Sequence, residues 1–276
     1  MERFFGKWMQ KFFIEREGGS KTNYVISCSF GKDSLAQVIL AHQHGEPVEY
    51  ILYVEVMYDI ERNISAEIPE HRDFIYNIAI PKLQEWGYRV IILRSEKDFK
   101  HCFLREIKKS RVPGRNGKRS GFPLSGKCAI NRDCKQRVID RYKKLNFSKD
   151  TTFYVGIAVD EKKRLARLDG VTKQSLLEKY GYTEKKAKDL CAEHGLLSPI
   201  YSFTKRNGCF FCPNASRQEL RHLYDHHPEL WNDLLRLSYS ENLVSPYFNG
   251  WRKETFADVH REFQDMTGGK NMRGEG

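Results

Sequence analysis

Apolar and polar positions fall into blocks that switch between strand and helix periodicity. An apolar run at 24–26 is followed by the helical spacing of Leu35, Val38, Ile39 and Leu40, which Gly45 terminates. A second apolar run covers 50–57. Positions 69–86 place Phe74, Ile75, Ile78 and Leu83 on one helical face, 89–93 reads as a third strand and 99–109 as a helix. A helix at 133–144 and a strand at 153–158 continue the alternation. Strands alternating with helices at this spacing predict an α/β fold, a Rossmann-like, doubly wound and mainly parallel sheet with its ligand at the C-terminal strand ends. Beyond 168 the pattern changes to short polar helices at 172–180 and 183–194, an extended stretch at 198–203, and helices at 219–237 and 254–265 around a loop at 246–250. This is a helical C-terminal extension. The chain therefore divides into a helical arm at 1–20, an α/β domain at 21–204 and a mostly helical region at 205–276 that ends in a Gly-rich tail.

Length and charge narrow the picture. A chain of 276 residues holds one large α/β domain with an appendage, or two small domains. No run of about eighteen apolar residues exists, so no membrane helix is expected, and residues 1–16 mix aromatics with Lys7, Lys11 and Glu15 rather than forming a signal peptide's apolar stretch. A cytoplasmic location is the expectation. The net charge of +11 is concentrated: residues 105–144 hold fourteen Lys or Arg against three acids, enough to carry the whole excess. Arg111, Arg115, Lys118, Arg119, Lys127, Arg132 and Lys135 lie in that window, and Pro113, Gly114 and Gly117 make its first part a loop. Such a cluster predicts salt-dependent attraction to nucleic acid or another polyanion, the plain alternative being a solvated basic face.

Two segments carry candidate chemistry at strand ends. Ser29-Phe30-Gly31-Lys32-Asp33-Ser34 leaves the first apolar run and opens the first helix. A glycine lets backbone amides close on an anion, the helix N-terminus adds its dipole, and Lys32, Ser29 and Ser34 supply charge and hydroxyl donors. Asp33 stands where it favours the helix dipole and could reach Mg²⁺. A Walker A loop needs four residues between its first glycine and its Gly-Lys pair, and no such span exists here. The second segment, Gly156-Ile157-Ala158-Val159-Asp160-Glu161, follows the strand at 153–158 and is trailed by Arg164 and Arg167. Arginine suits bidentate phosphate contact, and Asp160 or Glu161 could bind Mg²⁺ or a ribose.

Seven cysteines suggest metal chemistry before disulfides in a reducing compartment, and four form two close pairs. Cys209 and Cys212 have the two-residue gap that lets both sulfurs face one ion; Cys128 and Cys134, with five residues between, form a looser half-site. Four thiolates suit Zn²⁺ or an iron–sulfur cluster. Cys28, Cys102 and Cys191 read as small buried fillers.

Ser29 to Ser34 resembles the PP-loop of the ATP pyrophosphatases and phosphoadenosine phosphosulfate (PAPS) reductases. The resemblance extends to Gly156, Asp160, Glu161 and Arg164 and to the mid-chain and later cysteine pairs, a layout similar to that of PAPS and adenylylsulfate reductases and the sulfurtransferase of DNA phosphorothioation. It implies ATP as the nucleotide, Ser29, Phe30, Gly31, Lys32, Asp33, Ser34, Gly156, Ile157, Asp160, Glu161 and Arg164 as its contacts, Lys32 and Asp33 as catalytic groups, and a [4Fe–4S] cluster or Zn²⁺ on the cysteines. Two departures stand out. Cluster-binding reductases have adjacent cysteines in the first half-site, and PAPS reductases carry a later catalytic cysteine, whereas none follows Cys212 here. The expectation is an ATP pyrophosphatase that adenylates a substrate for sulfur transfer to nucleic acid. A reductase that borrows its thiol and a non-catalytic nucleotide- and nucleic-acid-binding zinc protein are the alternatives.

Overall fold

The computed structural model describes residues 24–271 apart from 125 and 127, and side chains only as far as 266, so the expected arm at 1–20 and Lys127 lie outside the described residues. Five strands form the central sheet: β1 (Tyr24–Ser27), β2 (Tyr50–Val54), β3 (Arg89–Leu93), β4 (Thr152–Val155) and β5 (Lys173–Gln174). They run parallel in the order β3-β2-β1-β4-β5. Parallel strands need both faces covered, and β2 accordingly is buried along its whole length. The chain winds outward from β1 in one direction and returns through β4 on its other side. The crevice above the C-terminal ends of β1 and β4 is therefore the point where strand order reverses, where a doubly wound sheet holds its ligand.

Helix α1 (Lys32–Gln43) crosses from β1 towards β2 and packs against α2 (Glu184–Glu193). It is buried almost all round, from Ser34 to Ala41, as a helix enclosed between sheet and neighbour must be. A second, aromatic core lies apart from the sheet. Phe99, Phe103 and Phe122 meet Phe211, Phe248, Trp231 and Phe256 there, with Phe99 and Phe211 stacked at 3.9 Å. This core joins the mid-chain segment to the helical C-terminal region.

Several elements depart from the sequence pattern for identifiable reasons. The helix expected at 69–86 is continuous in path but passes through a π-helical turn at Ile75–Ala79 just before Pro81, which has no N–H for the ordinary ladder. The helix beginning at Phe99 ends at Leu104. Beyond it, the Ile107 amide donates to the Lys118 carbonyl at 2.9 Å and Arg119 pairs with Leu243. Strand-like pairing thus replaces the expected last turn, and Arg119–Gly121 with Leu243–Ser245 forms a small parallel ladder. Residues 198–203 coil into a 3₁₀ turn at Pro199–Ser202 rather than extending. The helix expected at 219–237 is two, Arg217–His226 and Pro228–Ser238, because Pro228 starts a new first turn after His227.

Candidate functional site

The loop between β1 and α1 is held in a conformation its sequence does not favour. Phe30 takes a left-handed backbone, φ 57°, which costs a bulky residue about 1–3 kcal/mol. Burial sustains it: the Phe30 ring is inaccessible to solvent and sits edge-on to Tyr53 at 5.0 Å. Gly31 follows as N-cap without a side chain to cap the first turn. A Cβ there would stand 2.5 Å from Asn207 Oδ1, so a side chain at this position would displace Asn207, which donates to the Ser29 carbonyl at 3.2 Å. The Ser34 hydroxyl donates to the Gly31 carbonyl at 3.0 Å and accepts from the Ser29 amide at 3.1 Å. The loop is thereby knotted before any ligand arrives.

Lys32 is the charged centre of the site. Its side chain is nine-tenths buried, its Nζ lies 2.7 Å from Asp33 Oδ1 and 3.2 Å from Glu184 Oε2, and its amide donates to the Tyr201 hydroxyl at 2.9 Å. Burial works against the ammonium, but Asp33 and Glu184 outweigh it and hold the Lys32 pKa above its ordinary value. Asp33 responds differently: burial raises its carboxyl pKa against the pull of Lys32, and Glu184 and Glu161 add to the rise. Asp33, Glu161 and Glu184 each place an oxygen within 4.8 Å of the others. Lys32 answers Asp33 and Glu184 while Arg164 answers Glu161, and an all-oxygen trio of this size fits Mg²⁺.

The second segment forms the opposite wall. A Cβ on Gly156 would lie 2.7 Å from the Asp33 carbonyl carbon and the Ser34 amide nitrogen; glycine lets β4 press against the first turn of α1. Asp160 accepts from the Glu184 amide at 3.1 Å, capping α2 and holding Glu184 in place. Glu161 accepts from the Ala158 amide at 3.3 Å and pairs with Arg164. Ile157 is buried beneath, its carbonyl accepting from Ser175 at 2.7 Å.

The thiols gather beside the aromatic core. Cys209 and Cys212 are joined by a turn in which the Cys212 amide donates to the Cys209 carbonyl at 3.0 Å. Burial raises the Cys209 thiol pKa, with Glu67, Cys212 and Cys128 adding to it and Lys135 opposing. Cys128 is raised chiefly by burial, with smaller contributions from Cys212 and Cys102. Three thiols from two distant segments thus share one neighbourhood. Among the described residues, the groups of three donor atoms within 4.8 Å of one another include no cysteine. The thiolate donor set fits Zn²⁺ and an iron–sulfur cluster alike. Cys134 is fully buried, its sulfur 3.7 Å from that of Cys102.

The basic residues divide. Arg111, Arg115, Lys118 and Arg119 are exposed on the loop after Leu104. Arg132 is bound through two nitrogens to Asp133, at 2.9 and 2.7 Å. Lys135 is half-buried and acts on Cys28, Glu67 and Cys209, between cradle and thiols.

Glu184, Tyr201, Asn207 and Glu67 are site residues that the sequence pattern does not disclose. Thr183 marks a helix start, which places Glu184 at a first turn, but nothing local ties that turn to Lys32. Glu67 shares a backbone bridge with Cys209, and its Oε2 is buried without a partner.

No family model matches the chain, and no curated protein matches it. Among solved structures, the chain is similar to the U34-tRNA thiolase NcsA from Methanococcus maripaludis with its [4Fe–4S] cluster, at 18% identity over 80% of this chain and 74% of that one, with a TM-score of 0.38. A superposition that loose carries no weight for the assignment of residues.

Proposed function

We propose that this protein is an ATP-dependent enzyme that adenylates a nucleic-acid substrate as the first step of sulfur transfer. The observation that carries the reading is the meeting of Lys32, the uncapped start of α1 and the Asp33–Glu161–Glu184 trio at the strand-order reversal. A substrate oxygen attacks the α-phosphorus, the α–β bridging bond breaks, and pyrophosphate departs into the loop at 29–34. Lys32 and the first-turn amides neutralise charge building on the leaving group, which is where preorganised donors lower a barrier most. Mg²⁺, held by Asp33, Glu161 and Glu184, would screen the phosphate oxygens when bound. A hydrosulfide ion, supplied as a co-substrate, then displaces AMP from the activated carbon, the C–S bond forming as the C–O bond to AMP breaks.

Cys128, Cys209 and Cys212 are the proposed metal-binding face, with Cys134, whose sulfur lies against that of Cys102, as the fourth ligand. A bound iron–sulfur cluster would supply a site for the incoming sulfur. Glu67, raised by burial towards its protonated form, is placed to give or take a proton beside Cys209. The exposed basic loop holds the nucleic acid. Incubation with α-labelled ATP, Mg²⁺, sulfide and a mixed tRNA and DNA pool is expected to yield labelled AMP with pyrophosphate. Labelled ADP, or no turnover with any acceptor, would contradict the reading.

A further inference from the structure

Among the described residues, one tryptophan stands outside every packed group. Trp231 is 1% exposed within the aromatic core, whereas Trp251 is 89% exposed and has no ring partner among the described residues. It sits at the tip of a short rigid loop. Asn249 and Glu254 exchange two backbone hydrogen bonds of 3.1 Å, enclosing Gly250, Trp251, Arg252 and Lys253. The Arg252 amide donates to Asn249 Oδ1 at 3.2 Å, and Lys253 takes a left-handed φ of 50°. Below the tip, Phe248 is buried edge-on to Phe122 at 5.5 Å, and Glu254 pairs with Arg217. The tryptophan is thus held out by an anchored turn.

The same loop is tied to the basic segment. Its stem, Leu243–Ser245, pairs in parallel with Arg119–Gly121, and the Arg119 amide donates to the Asn242 carbonyl at 2.8 Å. Gly121 permits the contact, since a Cβ there would lie 2.2 Å from the Ser245 carbonyl oxygen. The ladder ties the segment leading to the exposed indole, Arg252 and Lys253 to the strand that begins at Arg119, the end of the exposed stretch holding Arg111, Arg115 and Lys118.

We propose that Trp251 is a stacking platform for an unpaired nucleobase, with Arg252, Lys253 and the basic loop holding the flanking phosphates. The proposal rests on the nucleic-acid reading above and adds to it: the partner is single-stranded or looped. Every base offers a π-face to an indole, and a duplex hides its faces, so an aromatic tip amid cations selects unpaired strands.

The test measures binding of the full chain, without ATP, to labelled single-stranded RNA and DNA 12-mers and to a blunt duplex at one salt concentration. Trp251→Ala is expected to weaken single-strand binding by about 5- to 150-fold, the range for loss of one stacked base, to spare duplex binding, and to leave the melting temperature unchanged; Trp251→Phe should retain part of the affinity. The RNA and DNA arms show which sugar is preferred. Equal affinities of wild type and Trp251→Ala for every strand would overturn the proposal. So would Trp251-dependent binding to phosphatidylserine vesicles with no effect on oligonucleotides. If Trp251→Ala weakens strand binding while no acceptor yields AMP, the platform stands and adenylation falls; if no oligonucleotide binds the wild type, the platform falls whatever the ATP chemistry shows.

Discussion

The cradle at the start of α1 and the thiol group beside the aromatic core are built to different degrees of completion. In the cradle Ser29 is already bonded to Ser34 and Asn207, and Lys32 to Asp33, and a strained Phe30 is held by burial. A ligand there finds its donors in place and pays little to order them. The thiols share a neighbourhood without being drawn together, and burial keeps Cys128 and Cys209 towards their protonated forms. A metal bound there would release those protons, so its affinity would rise with pH and its binding energy would add to the stability of the C-terminal region. Under the proposed function the nucleotide would meet a finished scaffold, whereas the metal site would be completed by its metal.

The sharpest way to break this comparison is Lys32→Ala. It should lower AMP formation by about 10²–10³-fold, the range for losing one preorganised donor, read by single-turnover quench. Unchanged turnover would place the chemistry elsewhere.

His71, buried with its Nδ1 2.9 Å from the Ser198 hydroxyl, tests the rigidity of the same scaffold. Burial depresses its pKa from 6.5 to about 4, so the unfolded chain binds more protons in that window. The stability contribution is complete above pH 6.5 and is lost as pH falls towards 4, a change of about 3 kcal/mol. Urea melts across this range should show that slope, and His71→Phe should flatten it.

Gly156→Ala drives a methyl into the Asp33–Ser34 backbone and should destabilise the metal-free, nucleotide-free protein by about 2 kcal/mol, with weaker ATP binding in calorimetry. Cys212→Ser should have the smallest effect, below about 1 kcal/mol without metal. Yet it should abolish the rise in melting temperature that anaerobic iron and sulfide give the wild type. A large loss in the metal-free protein would show that the thiol group, too, is finished in advance.

Local signals explain what the sequence discloses. The cradle is legible because six consecutive residues carry it, and the sheet because strand and helix periods alternate around it. Glu184 and Asn207 act on residues more than 150 positions away, and no period or spacing connects them. Cys102 reads as a filler in a helical pattern, and only the fold brings it to Cys134. The helices expected at 69–86 and 219–237 pass over Pro81 and Pro228, whose effects differ: a π turn absorbs the first, while the second separates two helices. The end of the helix at Leu104 has no such marker, since pairing with strands from the far C-terminal region decides it.

The account turns on whether the loop at 29–34 grips the phosphates of ATP. A crystal structure with Mg²⁺ and a non-hydrolysable α,β-bridged ATP analogue tests this most directly. The β- and γ-phosphates are expected on the amides of the first turn of α1 and on Lys32 Nζ, with Mg²⁺ at Asp33, Glu161 and Glu184. An analogue bound elsewhere, with the Lys32–Asp33–Glu184 contacts undisturbed, would contradict it.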